Sequence, residues 1–100
     1  MSRPIHLVTP DAATMRGIVQ LLADAPASAN EVAMTQHVGT DAARRLMRIL
    51  HDTGIIEHRS PAEADAGMTP RAILQLWQLT KAYLRGDVPF EPERLAGGTT

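Results

Sequence analysis

The segment from Thr40 to Gly54 limits the fold of this chain more than any other stretch of its sequence. Successive residues of an α-helix are rotated by about 100°, and at that spacing the side chains separate into two arcs. The apolar arc contains Ala42, Ala43, Leu46, Met47, Ile49 and Leu50. The polar arc contains Arg44, Arg45, Arg48, His51 and Asp52. We therefore predict an amphipathic helix over residues 41–53, with Thr40 as its N-cap and Gly54 as its stop.

An earlier segment has the same helical spacing. Thr9, Pro10 and Asp11 are typical of an N-cap, a first helical position and an acidic first turn. The apolar stripe that follows contains Met15, Ile18, Val19 and Leu22, extended by Ala12 and Ala25. We predict a helix over Pro10–Ala25, ended by the following proline. Gly17 weakens this helix by about 1 kcal/mol relative to alanine.

A short helix is predicted between these two. Ser28 and Glu31 have the spacing of a capping box, in which each side chain satisfies a free backbone N–H at the helix start. The helix then covers Ala29–His37. Its inward-facing residues are predicted to be Val32, Ala33 and Gln36. Residues 38–40, Val-Gly-Thr, form the turn that leads into the amphipathic helix.

The pattern changes after the amphipathic helix. Ile55–Arg59 and Arg71–Leu79 are apolar runs that flank a turn-rich loop, which favours a β-hairpin, although a helix is an alternative for the second run. Thr80–Arg85 fits one short helical turn, and Ile5–Val8 fits a leading strand. We predict one domain over residues 1–86 and a flexible C-terminal tail over residues 87–100, where glycine and proline are frequent.

This order of elements resembles the winged helix-turn-helix domain of small bacterial and phage transcriptional regulators, over residues 9–80. The most specific part of the resemblance is residues 32–56. Its matching positions are Ala33, Val38, Met47, Leu50, Gly54, Ile55 and Ile56. Two positions depart from the family pattern. His37 stands where the family often has glycine, and the loop of the hairpin carries Glu63 and Asp65 where the family often has basic residues.

The resemblance implies an α+β fold of three helices and a β-hairpin wing, followed by a short tail. It also implies a sequence-specific regulator of transcription that binds double-stranded DNA and places residues 41–53 in the major groove. Arg44 and Arg48 are expected to contact bases or phosphates, with Thr40 and Arg45 assisting. The whole set of expected DNA-binding residues is Thr40, Asp41, Arg44, Arg45, Arg48, His51, Arg59 and Arg71. Lys81, Arg85, Arg59 and Arg71 are expected to hold the DNA backbone.

Composition limits the other classes of function. The formal net charge is −1, so binding to a polyanion must come from local clustering of arginines. The chain has no cysteine and four histidines without metal-ligand spacing, so we expect no disulfide, metal or cofactor. No catalytic arrangement of side chains and no phosphate-binding loop is recognisable, so we expect no enzyme. No apolar run suggests a membrane span or a signal peptide, and we expect a cytoplasmic protein.

Several alternatives stay open from the sequence. A winged-helix module for protein–protein interaction without DNA binding fits the near-zero charge, and a ligand- or metal-responsive repressor is a third, weaker hypothesis. Few large apolar residues are available for the core, so a homodimer is expected, with residues 80–90 and the first helix as its surfaces. His51 and His58 are expected at the surface near the DNA. Trp77 is expected to be a half-buried core residue rather than part of a ligand pocket.

Overall fold

The computed structural model describes residues 10–59 and 76–97. These residues form five helices and three short strands. In chain order they are α1 (Pro10–Asp24), β1 (Ala27–Ser28), α2 (Ala29–Gln36), α3 (Thr40–Thr53), β2 (Ile56–His58), β3 (Leu76–Leu79), α4 (Lys81–Leu84) and α5 (Pro92–Gly97). The three predicted helices are present, with bounds that differ by one residue at an end.

The core lies between the apolar stripes of α1, α2 and α3 and one face of the sheet. The predicted inward positions of α1 and α3 are confirmed, because each stripe contributes fully or almost fully buried side chains. The core contains Met15, Ile18, Val19, Leu22, Ala27, Val32, Ala33, Ala43, Leu46, Met47, Leu50, Ile55, Ile56 and Leu79. Ala25 was expected to extend the stripe of α1 but is exposed, since the helix ends one residue earlier.

The start of α2 has the predicted capping box. The Glu31 N–H donates to Ser28 Oγ at 3.2 Å, and the Ser28 N–H donates to Glu31 Oε1 at 3.1 Å. The start of α3 differs from the prediction. Gly39 is the N-cap, without a side-chain hydrogen bond, and Thr40 is already the first helical residue. The helix begins one residue early because the Gly39 carbonyl accepts the first helical bond, from the Ala43 N–H at 2.9 Å.

The turn between α2 and α3 is formed by a histidine in a left-handed conformation. His37 has φ 56° and ψ 44°, and the next N–H, that of Val38, donates to the Ala33 carbonyl at 3.1 Å. Glycine adopts this conformation more easily than any other residue. His37 stands where the family resemblance leads one to expect glycine, and its backbone has the conformation that glycine favours. The turn is therefore formed although the residue is not glycine.

The three strands form an antiparallel sheet with the order β1-β3-β2. Ile56 lies opposite Leu79, and His58 lies opposite Trp77, so residues 76–79 form the strand that the hairpin hypothesis predicted. Strand β1 was not predicted, because two residues are too few to show an alternating pattern. The expected leading strand and the loop with its acidic residues lie outside the described residues.

The segment after β3 returns to the end of α3. The Thr80 hydroxyl donates to the Gly54 carbonyl at 2.6 Å, and its oxygen accepts the Tyr83 N–H at 3.1 Å. The short helical turn expected at residues 80–85 is α4. Within the segment expected to be a tail, the structure has α5, whose Leu95 packs against the core. The Arg16 side chain of α1 forms an ion pair with Glu93 of α5.

Candidate nucleic-acid interface

The exposed face of α3 carries the predicted cations. Arg44 and Arg48 are both exposed, and their separation of four residues places them on successive turns of one helix face. Within residues 10–59 and 76–97, no acidic side chain forms an ion pair with either guanidinium. Among the described residues, these two guanidiniums thus lack an acidic partner, in contrast to Arg45.

Arg45 lies on the same helix but contacts a different element. Its Nη2 lies 3.1 Å from Oδ2 and 3.3 Å from Oδ1 of Asp11, in the first turn of α1. The acidic partner of Arg45 thus comes from α1 and not from its own helix, so this guanidinium is directed toward α1.

The other predicted site residues are distributed around α3. Thr40 is half-buried and Asp41 is exposed, both in the first turn of α3. Arg59 follows β2 directly, and its backbone N–H donates to the Leu76 carbonyl at 2.8 Å. Arg71 lies outside the described residues. Among the expected backbone contacts, Lys81 is exposed, and the Arg85 Nε lies 3.1 Å from Asp87 Oδ2.

A cleft of about 800 Å³ lies beside the arginines, between the start of α2, the exposed face of α3 and the sheet. Its wall combines cationic, acidic, imidazole, aromatic, apolar and small neutral side chains. The lining residues are Ser28, Ala29, Asn30, Arg44, Met47, Arg48, His51, Asp52, His58 and Trp77. Three of the predicted site residues, Arg44, Arg48 and His51, thus share one concave surface.

Three rings form one cluster in this cleft, which we call the His51–Trp77–His58 cluster. The His58 ring lies over the Trp77 indole, with centroids 3.7 Å apart and an interplanar angle of 34°. The His51 ring approaches the indole edge-on, at 5.6 Å and 79°. The sequence suggested surface positions for both histidines and a core position for Trp77. The contact of His58 with Trp77 follows from the pairing register of β2 with β3. The sequence alone does not give that register.

Two further features bear on the class of protein. No three His, Asp or Glu side chains in the described part of the chain are grouped so that they could hold a metal ion. Within the same ranges, no helix has the length and apolar character needed to cross a membrane.

Comparison with known proteins supports the fold. No protein-family model matches the sequence, and no curated protein does. A single-mutant form of Lactococcus lactis ZitR is similar in structure, with a TM-score of 0.58 and 20% identity over 87% of this chain and 53% of that chain. A double-mutant form gives 0.58 and 19% over 84% and 56%. This chain thus spans about half the length of ZitR. Together with the element order, the likeness shows an α+β winged helix-turn-helix fold.

Proposed function

We propose that this chain binds double-stranded DNA sequence-specifically and regulates transcription, with α3 as its recognition helix. The observation that carries the proposal is the pair Arg44 and Arg48. Both guanidiniums are exposed on one face of a helix, and no acidic side chain of the described residues neutralises them. The winged helix-turn-helix fold supports this use, because in such folds the second helix of the motif enters the major groove.

The dimensions of α3 suit this role. The major groove of B-DNA admits one α-helix, and an arginine can donate two hydrogen bonds to the O6 and N7 atoms of guanine. Arg44 and Arg48 lie four residues apart, which is about 6 Å along the axis, so both can address neighbouring base pairs or phosphates. Arg45 is held by Asp11, and we assign it a smaller share of the binding free energy than Arg44.

The proposed assembly is a homodimer on a palindromic site, because one domain of this size covers little DNA. A local cation cluster on a chain of net charge −1 predicts binding that depends on α3 and not on the surface as a whole. The same proposal describes a non-enzymatic, cytoplasmic protein.

The test is fluorescence anisotropy with a mixed-sequence duplex, followed from low to physiological salt. We expect binding that weakens steeply with salt, because phosphate contacts release counterions. Arg44→Ala and Arg48→Ala should each weaken binding by about 1–3 kcal/mol if the residue addresses a guanine. Arg94→Ala is the matched control, since it removes the same charge from α5, where Arg94 pairs with Glu91 at 3.0 Å. Equal losses for Arg94→Ala and Arg44→Ala would refute the assignment of α3.

The alternative function is a winged-helix module for protein–protein interaction without DNA binding. The observation that favours it is Met34, a large apolar side chain on α2 that is 76% exposed. Single exposed apolar residues are common at protein surfaces, so this observation is weaker than the arginine pair. Absence of duplex binding at low salt would favour the alternative, and a loss of partner binding in Met34→Ser would then support it.

A further inference from the structure

The His51–Trp77–His58 cluster lies in the same cleft as Arg44 and Arg48, and two of its three rings come from the sheet and not from α3. We propose that this cluster is a proton-linked phosphate site. A backbone phosphate of bound DNA enters the cleft, the two imidazoles take up protons, and DNA binding strengthens as the pH falls. The inference rests on the proposed function. It adds a second DNA contact, to which the sheet contributes, and it makes the affinity for DNA dependent on pH.

The ring geometry provides a contact that a protonated His58 can make. An imidazole 3.7 Å above an indole has its ring over the electron-rich face, and a cation in that position is attracted by the ring quadrupole. His51 approaches the same indole and lies 6.4 Å from the His58 ring. The two imidazoles therefore share one aromatic support and repel each other once both are charged.

The charged side chains that face the cluster in its described surroundings come from α3. From α3, Arg44 and Arg48 line the cleft as cations, and Asp52 is the acidic residue of the lining, with Oδ1 3.6 Å from His51 Nδ1. The start of α2 contributes neutral residues to the lining, and the carboxylate of Glu31 is used by the Ser28 N–H. From the described part of the sheet, the cleft receives no charged side chain other than His58 when protonated.

Glu57 is the acidic residue of β2, and the orientation of this strand keeps its carboxylate out of the cleft. Successive residues of a strand point to opposite faces, so Glu57 faces away from His58. Its carboxylate accepts a hydrogen bond from the Gln78 amide at 3.0 Å on that other face. In its described lining the cleft thus has two arginines and two histidines against one carboxylate. A phosphate group supplies the missing negative charge, and histidine changes its charge in the range from about pH 5 to pH 8.

The test compares binding of the mixed-sequence duplex at about pH 6 and about pH 8, at constant ionic strength, where histidine changes charge. We expect the wild-type chain to bind about tenfold more tightly at the lower pH, since uptake of protons on binding makes affinity rise as pH falls. The double variant His51→Gln/His58→Gln should lose this dependence. The readout is the ratio of its affinities at the two pH values, because both imidazoles belong to the proposed site and their loss also changes the absolute affinity. His37→Gln, at the end of α2, is the matched control and should retain the full dependence.

A second readout reports on the cluster without DNA. Trp77 is the only tryptophan of the chain, so its emission reports the neighbouring rings. A protonated imidazole quenches indole fluorescence, and we expect emission to fall with pH in the wild type and in His37→Gln. In His58→Gln this fall should be much reduced while circular dichroism stays unchanged. Inorganic phosphate at constant ionic strength should leave the emission unchanged. A saturable change would show that the cleft binds a free anion, and it would overturn the assignment to a DNA phosphate.

The outcomes separate this inference from the proposed function. Binding that is equal at both pH values but still requires Arg44 and Arg48 would overturn the inference alone. A wild-type pH response in the double variant would overturn it as well. Absence of duplex binding at every pH would overturn both.

Discussion

Arg45 of α3 and Asp11 of α1 form an ion pair that joins the first turn of one helix to the polar face of the other, with Nη2 3.1 Å from Oδ2. The pair removes one of three neighbouring arginines from the surface that faces outward. It bridges α3 and α1, which also contribute the buried side chains of Leu46 and Met15 to the core. The cationic face of α3 is therefore smaller than the count of its arginines suggests.

Arg45→Ala is expected to lower the free energy of unfolding by about 0.2–1 kcal/mol, because exposed ion pairs contribute little. The two side chains are 56% and 38% exposed, which places this pair in that class. Urea denaturation of Arg45→Ala, Asp11→Ala and the double variant measures the coupling. In DNA titrations Arg45→Ala should lose less affinity than Arg44→Ala. A loss as large as that of Arg44→Ala would mean that Arg45 leaves Asp11 to bind DNA.

The sequence predicted the parts of the fold that depend on local periodicity. The two arcs of α3 separate the buried Leu46 and Leu50 from the exposed Arg44 and Arg48, and neither arc needs knowledge of the rest of the chain. The capping box at Ser28 was likewise predictable, because its two hydrogen bonds join residues three apart.

The features that the sequence did not predict depend on residues that are distant along the chain. The partner of Arg45 lies 34 residues away, and the contact of His58 with Trp77 depends on the register of β2 with β3. Strand β1 exists only because β3 lies beside it. Periodicity describes one element at a time, so half of the candidate cleft was visible in α3 and the half formed by the sheet was not.

His37→Gly is expected to stabilise the protein. His37 occupies the left-handed region, which costs an L-residue with a Cβ about 1–2 kcal/mol. Glycine removes that cost but adds conformational entropy to the unfolded chain, so the net gain should be about 0.5–1 kcal/mol. Chemical denaturation at a fixed pH measures it. His37→Ala is the control, because it removes the imidazole and keeps the strain, and a similar gain in both variants would contradict the explanation.

Gly54→Ala is expected to destabilise the protein by about 1–2 kcal/mol, because the C-cap of α3 has a positive φ. That φ is 92°, and an added Cβ would lie in ordinary contact with Val88 Cγ2 at 3.8 Å, so the cost comes from the backbone and not from a collision. Gly39→Ala is the matched control at the other end of α3, where φ is −67° and no atom lies within 4 Å. Its effect should stay within about 0.5 kcal/mol. Equal effects in thermal unfolding would contradict this.

Gly17→Ala tests a close approach between α1 and α2. The sequence alone predicts a gain of about 1 kcal/mol, because alanine is the better helix former. In the structure an added Cβ would collide with the side-chain amide of Gln36, so that flexible side chain must move. We expect a smaller gain in the wild-type background than in Gln36→Ala, where the space is free. Equal effects of Gly17→Ala in the two backgrounds, measured by urea denaturation, would show that Gln36 does not restrict this position.

The ion pair of Arg16 with Glu93 joins α5 to α1, and we expect acid to weaken this attachment. The hydrogen bond from Arg16 holds the pKa of Glu93 below its ordinary value of 4.5. A lowered carboxyl pKa means that the stabilisation is complete above the ordinary value and is lost as the pH falls through the lower pKa of the folded state. We expect NMR titration of the Glu93 carboxyl to show the lowered pKa, and the protection factors of the α5 amides, which correct for the slower intrinsic exchange in acid, to fall below it. In Arg16→Gln the pKa should rise toward the ordinary value, and an unchanged pKa in that variant would mean that Arg16 is not its cause.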